Sequence, residues 1–371
     1  MTATRKARAL RGVLLVASLL TAVAGGIAGP AGASAHGRAS RRPPAGGSSR
    51  RSCAAHRAAG TVTFVSPFGY DASAGILDVF AAQHLGYFAD LCLRVDIVAS
   101  SPDPYALVSS GTATITGEGS AADTLVAVAD GSHFVGVATF GDTSDYALLT
   151  QPGITRLTQL QGKIVAYHTV MPVVLSEMLT KAGVDPTTLR EVNDTSYDPD
   201  LLTEGRFAAL QAYQSNEPIT LREQHKAFRE YTPAQFGIPG TFNVQVVNSA
   251  FLARHPGAVA AFLRADLHAF GYCSAHGAAC IEMERQAASA SGVTYDVAHN
   301  LAEWRFEAAL ALHHTLHGRG VGVETAAEWT PERAALQRSH LLSSVPSLAS
   351  AENTTLAASL YHGRSLIWPG P

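Results

Sequence analysis

The sequence lacks an excess of positive charge. Its net charge is −3 over 371 residues, and charged side chains account for only 15% of them. A protein that binds nucleic acid or an anionic membrane through electrostatics presents a basic surface, so we expect no nucleic-acid partner. With 47% hydrophobic residues, the chain has enough apolar material for one large domain or two smaller ones.

Apolar runs of membrane-spanning length are absent beyond the N-terminal region, so we expect no transmembrane helix there. Basic residues precede an apolar stretch from Gly12 to Ala33, and Ala33-Ser34-Ala35 is typical of a signal-peptidase site. We predict a signal peptide over residues 1–35, cleaved near Ala35, and a secreted protein of the periplasm or cell-wall space. A membrane anchor is the alternative, which glycine and proline near the end of the stretch disfavour. Residues 36–59, rich in Pro, Gly, Ser and Arg, predict a flexible linker.

Cysteine is scarce, and the spacing of the four cysteines fits no metal site. In an oxidising compartment they would form disulfides, and four cysteines allow three pairings. Because a short loop separates Cys273 from Cys280, we favour the pair Cys273–Cys280 and, by remainder, Cys53–Cys92. The residues before Cys53 differ from those of a lipoprotein processing site, so we expect no lipid anchor.

Motifs of nucleotide binding and catalysis are missing as well. No G-x-S-x-G, Walker or G-x-G-x-x-G pattern stands at a strand-to-helix junction. His313 and His317 share a predicted helix face and could hold a metal. No H-E-x-x-H glutamate accompanies them, so a solvated pair is the favoured interpretation. We expect no enzyme activity, no cofactor and no metal.

Strand and helix patterns alternate from Thr61 to about residue 150, and the alternation restarts after it. From Pro256 onward helical patterns dominate. We predict an α/β protein with two lobes, each a mixed, mostly parallel sheet flanked by helices. Lobe 1 would hold residues 60–150 plus 245–371, and lobe 2 residues 151–244.

Several segments match the motifs of a known family: Gly86-Tyr87-Phe88 with Leu93-Arg94-Val95, Leu160-Gln161-Gly162-Lys163, Tyr213-Gln214-Ser215-Asn216-Glu217-Pro218, and Pro233 to Gly237. Over about residues 61–365 the chain resembles the solute-binding proteins of ABC transporters that serve uptake of the thiamine pyrimidine precursor, a thiamine biosynthesis-like family. The resemblance implies a type II periplasmic-binding-protein fold, a monomer, and an ABC permease partner in the membrane. It also implies a small planar nitrogen heterocycle as the ligand, a pyrimidine first. An enzyme on the same fold, and a ligand-dependent extracellular sensor or scavenger, are the alternatives.

Glu217 is the first candidate ligand contact, because it stands where a strand ends and a helix begins. Its residue type and position also suit a helix start, but the resemblance favours ligand contact, and a carboxylate accepts hydrogen bonds from an amino group. For Ser120 a helix cap is an equal alternative, and for Thr143 and Ser144 a plain turn. The other candidates are polar or aromatic residues at predicted junctions and loops: Tyr213, Asn216, Ser73, Tyr70, His168, Phe242 and Asn243.

Overall fold

The computed structural model describes residues 49–168, 170–194 and 196–370. Its strands are β1 Thr61–Val65, β2 Arg94–Val98, β3 Ile115–Glu118, β4 Phe134–Gly141, β5 Tyr146–Thr150, β6 Ile164–Tyr167, β7 Arg190–Asn193, β8 Ala209–Tyr213, β9 Arg229–Tyr231, β10 Phe242–Asn248, β11 Tyr361–His362 and β12 Ser365–Leu366.

The α-helices are α1 Arg50–Ala58, α2 Leu77–Leu85, α3 Tyr87–Asp90, α4 Pro104–Ser109, α5 Ala121–Ala129, α6 Val173–Lys181, α7 Asp200–Thr203, α8 Glu217–Glu223, α9 Ser249–Arg254, α10 Pro256–Ala275, α11 Gly277–Ala290, α12 Val297–His314, α13 Ala326–Ser339, α14 Leu348–Ala351 and α15 Thr354–Ala358. Short 3-10 helices cover Leu157–Leu160, Pro186–Thr188, Pro233–Phe236 and Thr315–His317.

The first sheet has the strand order β2-β1-β3-β10-β4. Strand β1 pairs in parallel with β2 and β3, whereas β10 pairs antiparallel with β3 and β4. Over residues 61–64 of β1, exposed Thr61 and half-buried Thr63 alternate with fully buried Val62 and Phe64, which is the two-residue period of a strand; Val65 is buried as well. Helix α2 packs on α10 over this sheet and ends at Gly86, whose φ of 81° suits a residue without a side chain.

The second sheet has the order β7-β6-β8-β5-β9. Strand β6 pairs in parallel with β7 and β8, and β5 pairs antiparallel with β8 and β9. All five residues of β5 are buried, which is typical of a strand covered on both faces. The predicted α/β class, with two mixed and mostly parallel sheets flanked by helices, is confirmed.

The chain crosses between the sheets twice. Residues 142–145 lead from β4 to β5, and residues 232–241 lead from β9 to β10. Each crossing ends in the one strand that runs opposite to the other four of its sheet. Two adjacent crossings of this kind are the arrangement in which two lobes can hinge about a ligand.

Strand pairing places β5 differently from the sequence-based division into lobes. We expected residues 146–150 in lobe 1, but Tyr146 lies opposite Tyr213 of β8 in the second sheet. Strand β10 also begins three residues before the expected boundary at 245. Apolar runs show that a strand is buried, but not which sheet it joins. The division into two lobes stays a prediction.

The prediction of a flexible linker over residues 36–59 is wrong for residues 50–58, because these residues form helix α1. The hydroxyl of Ser49 accepts a hydrogen bond from the N–H of Ser52 and caps the helix. The Cys53–Cys92 disulfide and a 2.7 Å contact between His56 Nδ1 and the Leu91 carbonyl oxygen fix it to the body. The predicted signal peptide and the linker up to residue 48 lie outside the described residues.

Both predicted disulfides form. Cys53–Cys92 joins α1 to the turn between α3 and β2, and Cys273–Cys280 closes the turn between α10 and α11.

Aromatic rings stack in the core beside the first sheet, where the ring centres of Phe88 and Phe262 are 5.1 Å apart. Helix α13 packs against both α5 and α6. In the described part of the chain, no helix combines the length and apolar character needed to cross a bilayer.

Candidate functional site

A cavity of about 40 Å³ lies between the two sheets. Loops that follow β1 and β8, the first crossing, the start of β10 and helix α12 supply its walls. A volume of this size holds a few water-sized groups. The lining residues are Phe68, Asp71, Ser73, Asp145, Tyr197, Tyr213, Ser215, Asn216, Asn243, Glu303 and Glu307.

Glu307 is held in a polar network on the side of the first sheet. Its Oε2 accepts hydrogen bonds from Ser73 Oγ at 2.7 Å and from the N–H of Ala74 at 2.8 Å. The amide of Asn243 donates to Ser73 Oγ at 2.7 Å. Burial raises the pKa of Glu307 to about 8, and the negative charge of Asp71 adds to the shift. Glu307 therefore holds a proton more readily than an exposed glutamate does.

Asp71 and Glu303 form a carboxyl pair beside Glu307. Both side chains line the cavity, and no basic side chain stands beside them among the described lining residues. Burial raises the pKa of Glu303 well above its usual value, and the charge of Asp71 raises it further. Burial also raises the pKa of Asp71. A cation beside these carboxyl groups would favour their ionised forms.

Asp145 ends the first crossing and faces the cavity from between the sheets. Its Oδ2 accepts a hydrogen bond from Ser215 Oγ at 2.7 Å. Its Oδ1 has no hydrogen-bond partner among the described residues, although the side chain is only 5% exposed. Burial, followed by the charge of Glu307, raises the pKa of Asp145 well above its usual value. A buried acceptor of this kind is available to a donor group on a ligand.

Aromatic rings from the loops of both sheets line part of the cavity. The ring of Phe68 meets that of Tyr213 edge to face, with centres 5.8 Å apart. The ring of Tyr197 stacks on His168 at 3.8 Å between centres. Tyr197 is 43% exposed, so its ring separates the cavity from solvent and can move without disturbing the core.

Glu217 is not among the lining residues of this cavity. It is the first residue of α8 and is 1% exposed. Its Oε2 accepts the N–H of Tyr213 at 2.8 Å, and its Oε1 lies 3.4 Å from His168 Nε2. The carboxylate therefore holds the ends of the β8–α8 loop together. That loop carries Tyr213, Ser215 and Asn216, which line the cavity, whereas Glu217 itself does not.

His168 is the partner of Glu217 in this support. Its Nδ1 lies 2.8 Å from the Asp194 carbonyl oxygen, which only accepts, so Nδ1 carries a hydrogen. Burial alone would lower the pKa of His168, but the hydrogen bonds to Glu217 and Asp194 outweigh it, and the pKa is raised. When His168 is protonated, its ring and the carboxylate of Glu217 can form a buried ion pair.

Of the residues predicted to bind the ligand, the structure brings four to the cavity: Ser73, Tyr213, Asn216 and Asn243. Tyr70 instead packs its ring on Phe80 and hydrogen-bonds to Ser291. Ser120 caps α5 by accepting the N–H of Asp123 at 3.2 Å. Phe242 is 1% exposed and belongs to the core of the first sheet.

Thr143 and Ser144 lie in the first crossing but do not line the cavity. Ser144 Oγ accepts the N–H of Tyr146 at 3.2 Å, and its carbonyl oxygen accepts the amide of Gln214 at 2.9 Å. These contacts tie the crossing to the β8–α8 loop, so the turn interpretation describes Ser144 better than ligand contact does.

Sequence reasoning missed the acidic character of the cavity. Asp71, Tyr197, Ser215, Glu303 and Glu307 were not among the candidates. One signal was present, since Glu303 and Glu307 stand four residues apart on a helix. Like charges at that spacing repel on an exposed helix, so the pair indicates a buried or functional face.

Comparison with solved structures finds the same fold in proteins of low sequence identity. The ligand-binding component of an ABC-type import system from Staphylococcus aureus, with zinc bound, aligns with a TM-score of 0.60 and 11% identity, over 80% of this chain and 97% of that one. The periplasmic aliphatic sulphonate-binding protein SsuA from Escherichia coli aligns with a TM-score of 0.58 and 12% identity, over 84% and 96%. The desulfurization enzyme DSZB aligns with a TM-score of 0.52 and 12% identity, over 81% and 99%.

At these identities the likeness establishes the periplasmic-binding-protein fold and leaves the ligand open. Comparison of the sequence with curated proteins gives no match. The family described as NMT1/THI5 like matches residues 74–279, and this match confirms the resemblance drawn from the sequence motifs. Because the matched region is more than half of the chain, the protein belongs to the NMT1/THI5-like family.

Proposed function

We propose that the protein is an extracytoplasmic solute-binding protein that captures a small, planar, nitrogen-rich ring with a positive charge or several N–H donors. A protonated aminopyrimidine, in line with the thiamine-precursor resemblance, is the first candidate, and an ABC permease would receive it. The two disulfides support a location in an oxidising compartment.

The carboxyl groups of the cavity carry this proposal. Asp71, Asp145, Glu303 and Glu307 line it, and no lysine or arginine stands among the described lining residues. Ionised carboxylates only accept hydrogen bonds, and their charges attract a cation at short range. A cation favours the ionised form of these carboxyl groups, whereas an anion such as a sulphonate opposes it and finds no basic side chain in the lining. We therefore do not expect this chain to bind the ligand of the sulphonate-binding neighbour.

Aromatic rings favour a planar ligand. Phe68 and Tyr213 meet at the cavity wall, and the exposed ring of Tyr197 stands at its edge. Flat π-faces beside carboxylates suit a cationic ring, which gains both stacking and cation–π attraction. Asp145 Oδ1, buried and without a described partner, is the acceptor we assign to an exocyclic amino group.

The size of the cavity requires movement before a ring can enter, because about 40 Å³ holds only a few water-sized groups. His299 of α12 bridges the two sides, with Nε2 3.1 Å from Asn216 Oδ1 and Nδ1 3.4 Å from Glu223 Oε2. We infer that opening about the two crossings breaks these contacts and that closure over a ligand restores them.

Mass spectrometry of small molecules released from the purified, denatured protein tests the proposal. A thermal-shift panel of protonated aminopyrimidines, neutral pyrimidines and sulphonates then ranks the classes, since a ligand of the native state raises the melting temperature by mass action. We expect stabilisation by the cationic rings only. Stabilisation by sulphonates and not by amines would contradict the proposal.

Variants of the cavity sharpen the same test. Glu307→Gln and Asp145→Asn keep side-chain shape and should lose the ligand-induced shift, whereas Glu204→Gln, at a carboxylate 59% exposed on the surface, should keep it. Recovery of the ligand unchanged after incubation supports binding without chemistry. Conversion of the ligand by the unaltered protein would instead establish the enzyme alternative.

A further inference from the structure

A second cluster of ligating side chains lies outside the cavity and is independent of the proposed function. Asp142 begins the first crossing, His314 ends α12 and Glu328 lies in the first turn of α13. One ligand atom from each lies within 4.8 Å of the others. His314 is 1% exposed, and the two carboxylates are 16% and 12% exposed. The cluster is therefore buried on one side and reachable from solvent on the other.

The two ring nitrogens of His314 differ in their contacts. Its Nε2 lies 2.8 Å from the carbonyl oxygen of Val323, which only accepts, so Nε2 carries a hydrogen. Its Nδ1 has no hydrogen-bond partner in the described chain. That atom lies 3.5 Å from Glu328 Oε1 and 3.9 Å from Asp142 Oδ2.

The imidazole nitrogen and one oxygen of each carboxylate therefore lie within 4.8 Å of one another. Asp142 Oδ1 likewise has no hydrogen-bond partner within the described residues. A buried imidazole lone pair facing two carboxylates is unfavourable unless a cation lies between them. We propose that this cluster binds a divalent transition-metal ion of the zinc class through His314 Nδ1 and the carboxylates of Asp142 and Glu328.

The geometry and chemistry of the cluster fit such an ion. Imidazole and carboxylate are ligands of zinc and its neighbours, with bonds of about 2.0–2.2 Å. Tetrahedral bonds of that length place ligand atoms about 3.4 Å apart, close to the two distances from His314 Nδ1. The Val323 carbonyl that orients the ring is the kind of outer partner that ligating histidines have.

Outer contacts hold the carboxylates as well. Glu328 Oε2 accepts hydrogen bonds from the N–H of Thr325 at 2.7 Å and from its hydroxyl at 2.9 Å, which leaves Oε1 directed at His314. His317 Nε2 lies 2.8 Å from Asp142 Oδ2 and is the nearest further imidazole. The sequence drew attention to His313 and His317, but the buried residue between them faces the carboxylates.

Arg319 competes for this position, because its guanidinium donates to Glu328 Oε1. A proton on His314 Nδ1 is the other competitor. The guanidinium or the proton would neutralise the carboxylates without a metal, and the two alternatives predict different results for the variants below.

A bound ion would connect the first crossing between the sheets to α12 and α13.

Titration of the full chain, with its disulfides intact and stripped of metal by a chelator, tests the site with Zn²⁺ as the probe. We expect one ion per chain by calorimetry. His314→Gln, which keeps a donor for Val323, and Asp142→Asn should each weaken binding at least about tenfold. His84→Gln, at an exposed histidine on α2, is the matched control and should bind as the unaltered protein does. Thermal melts of each variant verify that it is folded.

Arg319→Gln keeps the test decisive if the other variants fold poorly. Removal of the competing guanidinium frees Glu328 Oε1, so Zn²⁺ should bind more tightly than in the unaltered protein. Equal zinc binding in His314→Gln and the unaltered protein would show adventitious surface binding and overturn the site. Absence of zinc binding, with NMR showing an imidazolium at His314, would assign the position to a proton.

Discussion

Glu217 contacts the β8–α8 loop and His168 and does not line the cavity. Its two oxygens are engaged by the Tyr213 N–H and by His168, while the cavity is lined by neighbours from the same loop. The sequence placed a carboxylate at a strand-to-helix junction, which is correct, but could not show which way its side chain points. Direction depends on the partner, and His168 lies 49 residues away in the chain.

Glu217→Ala should destabilise the protein by about 1–3 kcal/mol, because it leaves the Tyr213 N–H and His168 without their buried partner. Urea denaturation measures the loss, with Glu204→Ala, at an exposed carboxylate, as the control. A ligand-binding defect without loss of stability would show instead that Glu217 contacts the ligand.

The same ion pair has a definite dependence on pH. The folded pKa of His168 is raised above its usual 6.5, so the pair contributes stability below that value and loses it as pH rises through the folded pKa. Glu217→Gln keeps the acceptor for Tyr213 but removes the charge. Its destabilisation should therefore be larger at about pH 6 than at about pH 9, as measured by denaturation at both; an effect that grows with pH would contradict the pairing.

At the scale of elements, helix α12 contributes the carboxyl groups of Glu303 and Glu307 to the cavity wall, and the sequence did not predict this contribution. Apolar periodicity located the helix, since the spacing of its buried residues is local. The acidic cavity depends on residues 71, 145, 303 and 307, which only the fold brings together. Helix α1 was hidden for a similar reason, because contacts to residues 91 and 92 fix it and its own composition does not predict a buried face.

Glu307→Gln should stabilise the ligand-free protein at high pH and abolish binding. Burial raises the pKa of Glu307 to about 8, so ionisation above that pH opposes folding by on the order of a few kcal/mol. The neutral amide avoids this cost. Urea denaturation at about pH 9 should show a gain that vanishes at about pH 5, and a loss of stability at high pH would contradict it.

Loss of the Cys53–Cys92 disulfide should release α1. The bridge spans 39 residues, and removing a disulfide of that kind costs about 2–4 kcal/mol. The double variant Cys53→Ser/Cys92→Ser should melt earlier and be cut faster by trypsin at Arg57 than the unaltered protein. Unchanged cleavage would show that packing on α10 holds the helix without the bridge.

For the whole molecule, two sheets and two adjacent crossings make a fold in which closure and charge are linked. The alternation of strands and helices predicted the sheets, but pairing alone decided that β5 belongs to the second one. The carboxyl groups of Asp71, Glu303 and Glu307, on the side of the first sheet, share the cavity with Asp145 of the crossing. Burial of these acidic groups raises their pKa values, and a bound cation would favour their ionised forms.

The ligand-free protein should consequently be more stable in mild acid than in mild alkali. Burial raises the pKa of several carboxyls to about 7 or 8: Glu307, Glu324, Glu332 and Asp266. A raised folded pKa contributes stability that is complete below the usual value and is lost as pH rises to the folded one. The free energy of unfolding should therefore fall between about pH 5 and pH 8.5, as measured by urea denaturation in matched salt.

Binding of a cationic ligand should release protons over the same range, because it favours the ionised carboxylates of the cavity. Calorimetry in two buffers with different ionisation enthalpies measures the number released, and Glu307→Gln should reduce it. A protein whose stability rises toward pH 8.5, or whose ligand takes up protons on binding, would contradict an acidic cavity that closes on a cation.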